Sequence, residues 1–204
     1  MCGILVGIVA TFGAFAPAQD ATWFERPFSV VLESTLPDGR TSSGALHVGD
    51  FAMRLETVED EIPFVVLYEF SATRVIMRML DAVSTTVLRF DFDLGDVVEL
   101  DVLLMGAITL APEHSAHPCQ ANPDQADCTF EGFDEIDATV TERWSVVLHD
   151  GFGFEERFTL WHDGDRDVVR RLSYPDGYVI DFVRYEFAPQ SPMLFDVPDA
   201  YEAR

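Results

Sequence analysis

From Pro27 onward, apolar and polar residues alternate along most of the chain, and turn sequences cut the alternating runs at short intervals. Period two sends successive side chains to opposite faces of an extended backbone, so each run predicts a strand with one apolar face. The cuts are Pro37-Asp38-Gly39-Arg40, His149-Asp150-Gly151, His162-Asp163-Gly164-Asp165 and Pro175-Asp176-Gly177. Asp in such a turn bonds its own backbone and Gly takes a left-handed φ, so each reads as a hairpin. Strands are expected at Pro27–Leu36, Ser42–Val48, Phe51–Val58, Ile62–Phe70, Thr73–Leu80, Ser84–Phe92, Val97–Leu104, Ala138–Leu148, Phe152–Trp161, Val168–Tyr174 and Tyr178–Phe187, with a shorter one at Cys128–Phe133. Helix competes only at Ala72–Ala82 and Arg166–Leu172. In the first, Val75, Met77 and Met79 alternate with Ile76, Arg78 and Leu80, which favours strand. The expected fold class is mainly β: about ten or eleven antiparallel strands in a meander, with little helix.

Ile62–Tyr68 and part of Val97–Leu104 are apolar on nearly both faces. Such strands predict a large curved sheet with something lying on each side, or an apolar cavity. Seventeen phenylalanines and six methionines suit either.

The chain opens differently. MCGILVGIVATFGAFAPA carries no charged side chain. Ile4–Phe15 is too short to span a bilayer and the right length for a signal-peptide core. Ala16 and Ala18 form an A-x-A cleavage pattern, which puts the expected mature start at Gln19. Residues 1–18 are thus expected to be a signal peptide and 19–204 a single β domain. The protein is expected to be exported, periplasmic or extracellular, with no membrane-spanning segment after cleavage.

Thirty-six acidic residues face thirteen basic ones, all of them arginine, for a net charge of -23. So anionic a surface repels phosphate backbones, which argues against nucleic acid and against charge-driven binding to an anionic membrane. The acids are scattered rather than blocked, as in a solvated coat. The arginines then serve first as counter-charges. Arg89 with Asp91, Arg143 beside Thr141 and Ser145, and Arg170 and Arg184 on neighbouring arms of one hairpin are the cases in point, and a clamp for a ligand carboxylate or phosphate is the second reading for such arginines.

Once Cys2 leaves with the signal peptide, Cys119 and Cys128 remain, flanking a turn-rich spacer. An even pair in an oxidising compartment reads as a disulfide. His114 and His117 precede it and could join the two sulfurs as H-x2-H-x-C-x8-C. That spacing matches no common zinc motif, so the histidines stay weak metal candidates and no cofactor is expected. There is no G-x-S-x-G and no free mature cysteine, and paired carboxylates arise here by composition alone. The protein is therefore expected not to be an enzyme.

One string of signals resembles a known family. Asp38-Gly39-Arg40 runs through Gly44-Ala45-Leu46-His47-Val48 to Arg54 and Glu56. The cysteine loop, Trp144, Trp161 with Asp163, Arg170-Arg171 before Asp176-Gly177, and the ending Leu194-Phe195-Asp196-Val197-Pro198-Asp199-Ala200-Tyr201 follow. This order resembles the periplasmic lipoprotein-carrier-like (LolA/LolB-like) superfamily and its uncharacterised secreted branch. The resemblance implies an open half-barrel, a single curved antiparallel sheet with its concave apolar face partly covered by helices. In the carriers that face shelters acyl chains.

Together these readings favour a non-enzymatic exported protein that binds a lipid or acylated peptide in an apolar groove, with a lipid or lipoprotein as its partner. An envelope or extracellular interaction module without a small ligand is the alternative, and a loop-metal enzyme the second. Period-two counting makes Phe64, Val66, Tyr68, Val75, Met77, Met79, Phe90 and Phe92 the candidate groove lining. Trp144 and Trp161, each mid-strand among Val, Leu and Phe, are both expected to be largely buried, with their indoles on the core side.

Overall fold

A computed structural model describes residues 26–59, 62–71, 73–93, 126–149 and 155–203. The strands are β1 (Phe28–Thr35), β2 (Thr41–Val48), β3 (Ala52–Glu59), β4 (Ile62–Phe70), β5 (Arg74–Asp81), β6 (Thr86–Asp93), β7 (Ala126–Ile136), β8 (Thr139–His149), β9 (Glu155–Asp163), β10 (Val168–Ser173), β11 (Val179–Phe187) and the two-residue β12 (Glu202–Ala203). Eleven of them build one curved antiparallel sheet, open and not closed; β12 adds in parallel to β6. Among the described residues the only helix is a 3-10 turn at Pro192–Phe195. No described helix is long and apolar enough to cross a membrane.

The order β12-β6-β5-β4-β3-β2-β1-β11-β10-β9-β8-β7 consists of two meanders zipped together along β1 and β11. The two Pro-Asp-Gly turns close alike. Leu36 N–H donates to the Arg40 carbonyl and Tyr174 N–H to that of Tyr178. Gly39 and Gly177 take the left-handed φ that glycine tolerates. Asp38 and Asp176 each accept the N–H two residues on. β7 and β8 join through Asp137-Ala138, both left-handed, as a two-residue hairpin requires.

Cross-strand register sorts the side chains. Val30, Leu32, Leu46, Val48, Met53, Val66, Tyr68, Val75 and Met77 share a face with Val146, Phe158, Leu160, Leu172, Ile180 and Phe182, and this is the buried core. Burying each large aliphatic contributes about 1.5–3 kcal/mol. The opposite face carries ion pairs, among them Arg78–Glu69 (2.9 Å), Arg89–Asp91 (2.9 Å) and Arg171–Asp181 (2.6 Å). The arginines there act as counter-charges, and exposed pairs of this kind contribute about 0–1 kcal/mol each.

A second, smaller cluster lies on that polar face. Leu67, Leu80 and Val87 pack with Val65, Val197 and Tyr201. The C-terminal segment is thus a strap over the back of β3–β6. Arg54 donates to the Leu194 carbonyl (3.0 Å) while pairing with Glu56 (2.5 Å). Gly49 leaves room for Phe195, whose ring carbon would sit 2.8 Å from a Cβ there.

The structure corrects two expectations. The strand expected at Cys128–Phe133 runs from Ala126 to Ile136. Its acids face solvent, and a bulge between Phe130 and Gly132 shifts its phase, so the alternation breaks without ending the strand. Trp161 is not on the core side. It neighbours buried Leu160 and so points to the polar face, where its indole N–H donates to Asp134 (3.1 Å). Helices over the apolar face do not appear among the described residues. Val97–Leu104 and the signal-like segment lie outside the described residues.

Candidate functional site

The candidate lining comes from β4, β5 and β6, and the register puts its members in one file. Val66 faces Met79, Tyr68 faces Met77, and Met77 faces Phe90. Phe92 stands opposite Val75 in the ladder. The file is graded from core to rim. Val66, Tyr68, Val75 and Met77 are buried in the main cluster, while Phe64 and Met79 are partly buried against it. Phe90 is 41% exposed. Leu88, facing Met79, is 46% exposed. Sequence reasoning passed over Leu88, although it stands two residues before Phe90 in the same alternating run. The accessible apolar part of this quarter is therefore its β6 edge. Deeper positions are buried, and burial pushes the Tyr68 phenol up to about 12, so it stays neutral.

The same face is accessible again at the opposite edge. On the β7–β8 hairpin, Phe130 packs edge-on against Phe133 (5.3 Å between centroids) and Trp144 (5.1 Å). Phe133 is 70% and Val140 67% exposed. Trp144, on the core side as expected but only half-buried, is the inner end of this aromatic row.

One end of the apolar face is polar. Tyr174 packs at a tilt between Phe158 (5.9 Å) and Tyr178 (5.7 Å), and its buried hydroxyl has no hydrogen-bond partner. The Tyr178 hydroxyl donates to Ser34 (3.3 Å). Glu156, opposite Leu148 on the same face, is half-buried, and loss of solvent pushes its carboxyl above the ordinary 4.5. A raised acid favours the protonated folded state. Its stabilisation is full below the unfolded value and is lost as pH rises through the folded one. Glu156→Gln is therefore expected to raise Tm at about pH 7.5, with the gap closing near about pH 4. Thermal melts of both proteins at the two pH values check this; an unchanged gap contradicts it.

Cys128 lies on β7 opposite Val146 and packs against the core. Its expected partner Cys119, and the weak metal candidates His114 and His117, lie outside the described residues. Among the described residues no group of three or more His, Cys, Asp or Glu side chains could hold a metal ion.

The geometry is that of a single open sheet with one apolar face, accessible along both edges and crossed at its back by a C-terminal strap. No protein-family model and no curated protein sequence matches the chain. An uncharacterised conserved protein of Thermus thermophilus has the same fold, with a TM-score of 0.56 and 10% identity over 89% of this chain and 93% of its own. More distant are the Mycobacterium tuberculosis lipoprotein LppX (TM-score 0.38, 13% identity, 77% and 85% covered) and Pseudomonas aeruginosa MucB in its complex with MucA (TM-score 0.38, 10% identity, 88% and 58% covered).

Proposed function

We propose that the protein is an exported, non-enzymatic binder of a hydrophobic ligand, a lipid or acylated peptide, held against the apolar face of the sheet. The observation that carries this reading is the exposure of Phe90 and Leu88 in register with Met77 and Met79, and through them with Tyr68 and Val66. Exposed apolar surface continuous with a core is where a ligand tail or partner settles. The apolar opening segment, with its A-x-A pattern, supports export. The burial of the middle of the same face favours a second reading, an interaction module whose rims dock another protein.

Titration of delipidated protein with a fluorescent fatty acid separates the two. Binding should saturate and fall at least about tenfold in Phe90→Asp, because a carboxylate there must be desolvated by an acyl chain. Met77→Asp is the wrong probe, since Met77 is in the core and an unpaired carboxylate there would unfold the sheet. The absence of saturable binding leaves the interaction module.

Export also implies that Cys119 and Cys128 form a disulfide in the mature protein. Closing so short a loop contributes up to about 2–3 kcal/mol. Alkylation of folded, non-reduced protein followed by mass spectrometry should find neither thiol labelled; two labels contradict the pairing.

A further inference from the structure

Arg170 is a buried cation with almost nothing to hold it. The bulge between Val169 and Arg171 leaves it out of the β9–β10 ladder. Its side chain is 10% exposed, yet its nearest carboxylate, Asp137, is 3.8 Å away and itself 69% exposed. The buried Nε has no hydrogen-bond partner. The acids nearest in sequence have other partners: Asp163 accepts the Arg166 N–H (3.2 Å), and Asp167 pairs with His162 (2.9 Å). The Tyr185 hydroxyl donates to the Val169 carbonyl (2.7 Å). A guanidinium offers five donors in a planar fork, and burying it unpaired is costly.

The hairpin tip it reaches carries accessible apolar side chains between acids, Val140 opposite Glu135 and Phe133 opposite Glu142. Asp137 is the first residue of the β7–β8 turn, so Arg170 reaches the tip of the hairpin whose two arms expose Phe133 and Val140. Phe130 and Trp144 continue that row along the same face.

We propose that Arg170 and the apolar tip of the β7–β8 hairpin form a head-group site for a single-chain anionic amphiphile. The guanidinium takes the oxyanion, and the chain lies on Val140, Phe133 and Phe130. The site deepens the hydrophobic-ligand reading and rests on it. Carboxylate and phosphate heads share the chemistry, since both match the arginine fork. The acidic coat does not forbid such a ligand. Surface charges are screened within about 8–10 Å at physiological salt, whereas a buried cation acts at contact.

The test is calorimetric titration of the full chain with sodium oleate, oleoyl lysophosphatidate and oleyl alcohol. At least one of the two anions is expected to bind about tenfold or more tighter than the alcohol. Which anion is tighter names the head group. Arg170→Met should abolish that preference while leaving Tm unchanged or raised, because it removes a buried charge held only by one long, exposed ion pair. Asp137→Asn removes the competing carboxylate at a left-handed position that asparagine accepts, and should tighten anion binding. Equal binding of alcohol and anions overturns the head-group site and leaves the hydrophobic-ligand reading intact. A preference retained in Arg170→Met also overturns it. Should that variant not fold, unchanged anion affinity in Asp137→Asn does the same. Binding of none of the three probes defeats both readings together.

Discussion

Gly44→Val is expected to destabilise the protein by about 3 kcal/mol or more, and to do so by parting β2 from β3. A Cβ at Gly44 would lie 2.2 Å from the backbone carbonyl oxygen of Glu56. That atom cannot rotate aside as a side chain could. The Ala45↔Glu56 pair next to it ends the β2–β3 ladder, so β3 must move away, and β4 to β6 follow through it. Gly164→Ala is the control. It meets nothing closer than 3.8 Å and should change stability by less than about 0.5 kcal/mol. Urea denaturation of the three proteins decides it; a Gly44→Val midpoint near that of the parent contradicts the close approach.

The second large effect separates the two faces of one strand. Leu160 is fully buried, between Trp144 on β8 and Leu172 on β10. Leu160→Ala should cost about 3–5 kcal/mol through lost transfer energy and the cavity left behind. Its neighbour Trp161 is the larger residue but lies half-buried on the polar face, with its N–H on Asp134 and Arg171 5.9 Å from its ring centroid. Trp161→Ala should cost about 1–2 kcal/mol, the worth of one hydrogen bond to a charged group and some packing. Should Trp161→Ala be the more damaging of the two, the assignment of faces is wrong.

The contrast shows where the sequence is readable. Alternation and the Pro-Asp-Gly turns locate β1 to β6 and β8 to β11 because strand and turn are both local properties. Trp161 was legible too: adjacent residues of one strand cannot share a face, and Leu160 claims the core. Size suggested burial, and phase decided against it. β7 is harder, since a bulge and solvent-facing acids erase its alternation. The two-residue β12 has no pattern to read. The ending Leu194-Phe195 through Tyr201 stood out as a motif, but its role as a strap depends on Gly49, Arg54 and Leu67, more than a hundred residues away. Gly44 stood out in the same way; only the pairing of β2 with β3 reveals that it makes room for a carbonyl. For the candidate lining, period two found one face across three strands, because that count survives pairing without a slip. It could not find the gradient from buried Val75 to exposed Phe90, which depends on which strand stands near the edge. Arg170 gave no signal of burial, because in an acidic chain every arginine looks like a counter-charge.

Whether the apolar face carries a ligand is decided by native mass spectrometry of the protein purified from its own source, followed by solvent extraction. A population heavier than the polypeptide alone by the mass of a lipid or acylated peptide is expected. That mass should be released into the organic phase, and Phe90→Asp should reduce it. A single species at the polypeptide mass, with no extractable ligand and no saturable binding of a fluorescent fatty acid, would contradict a hydrophobic-ligand binder.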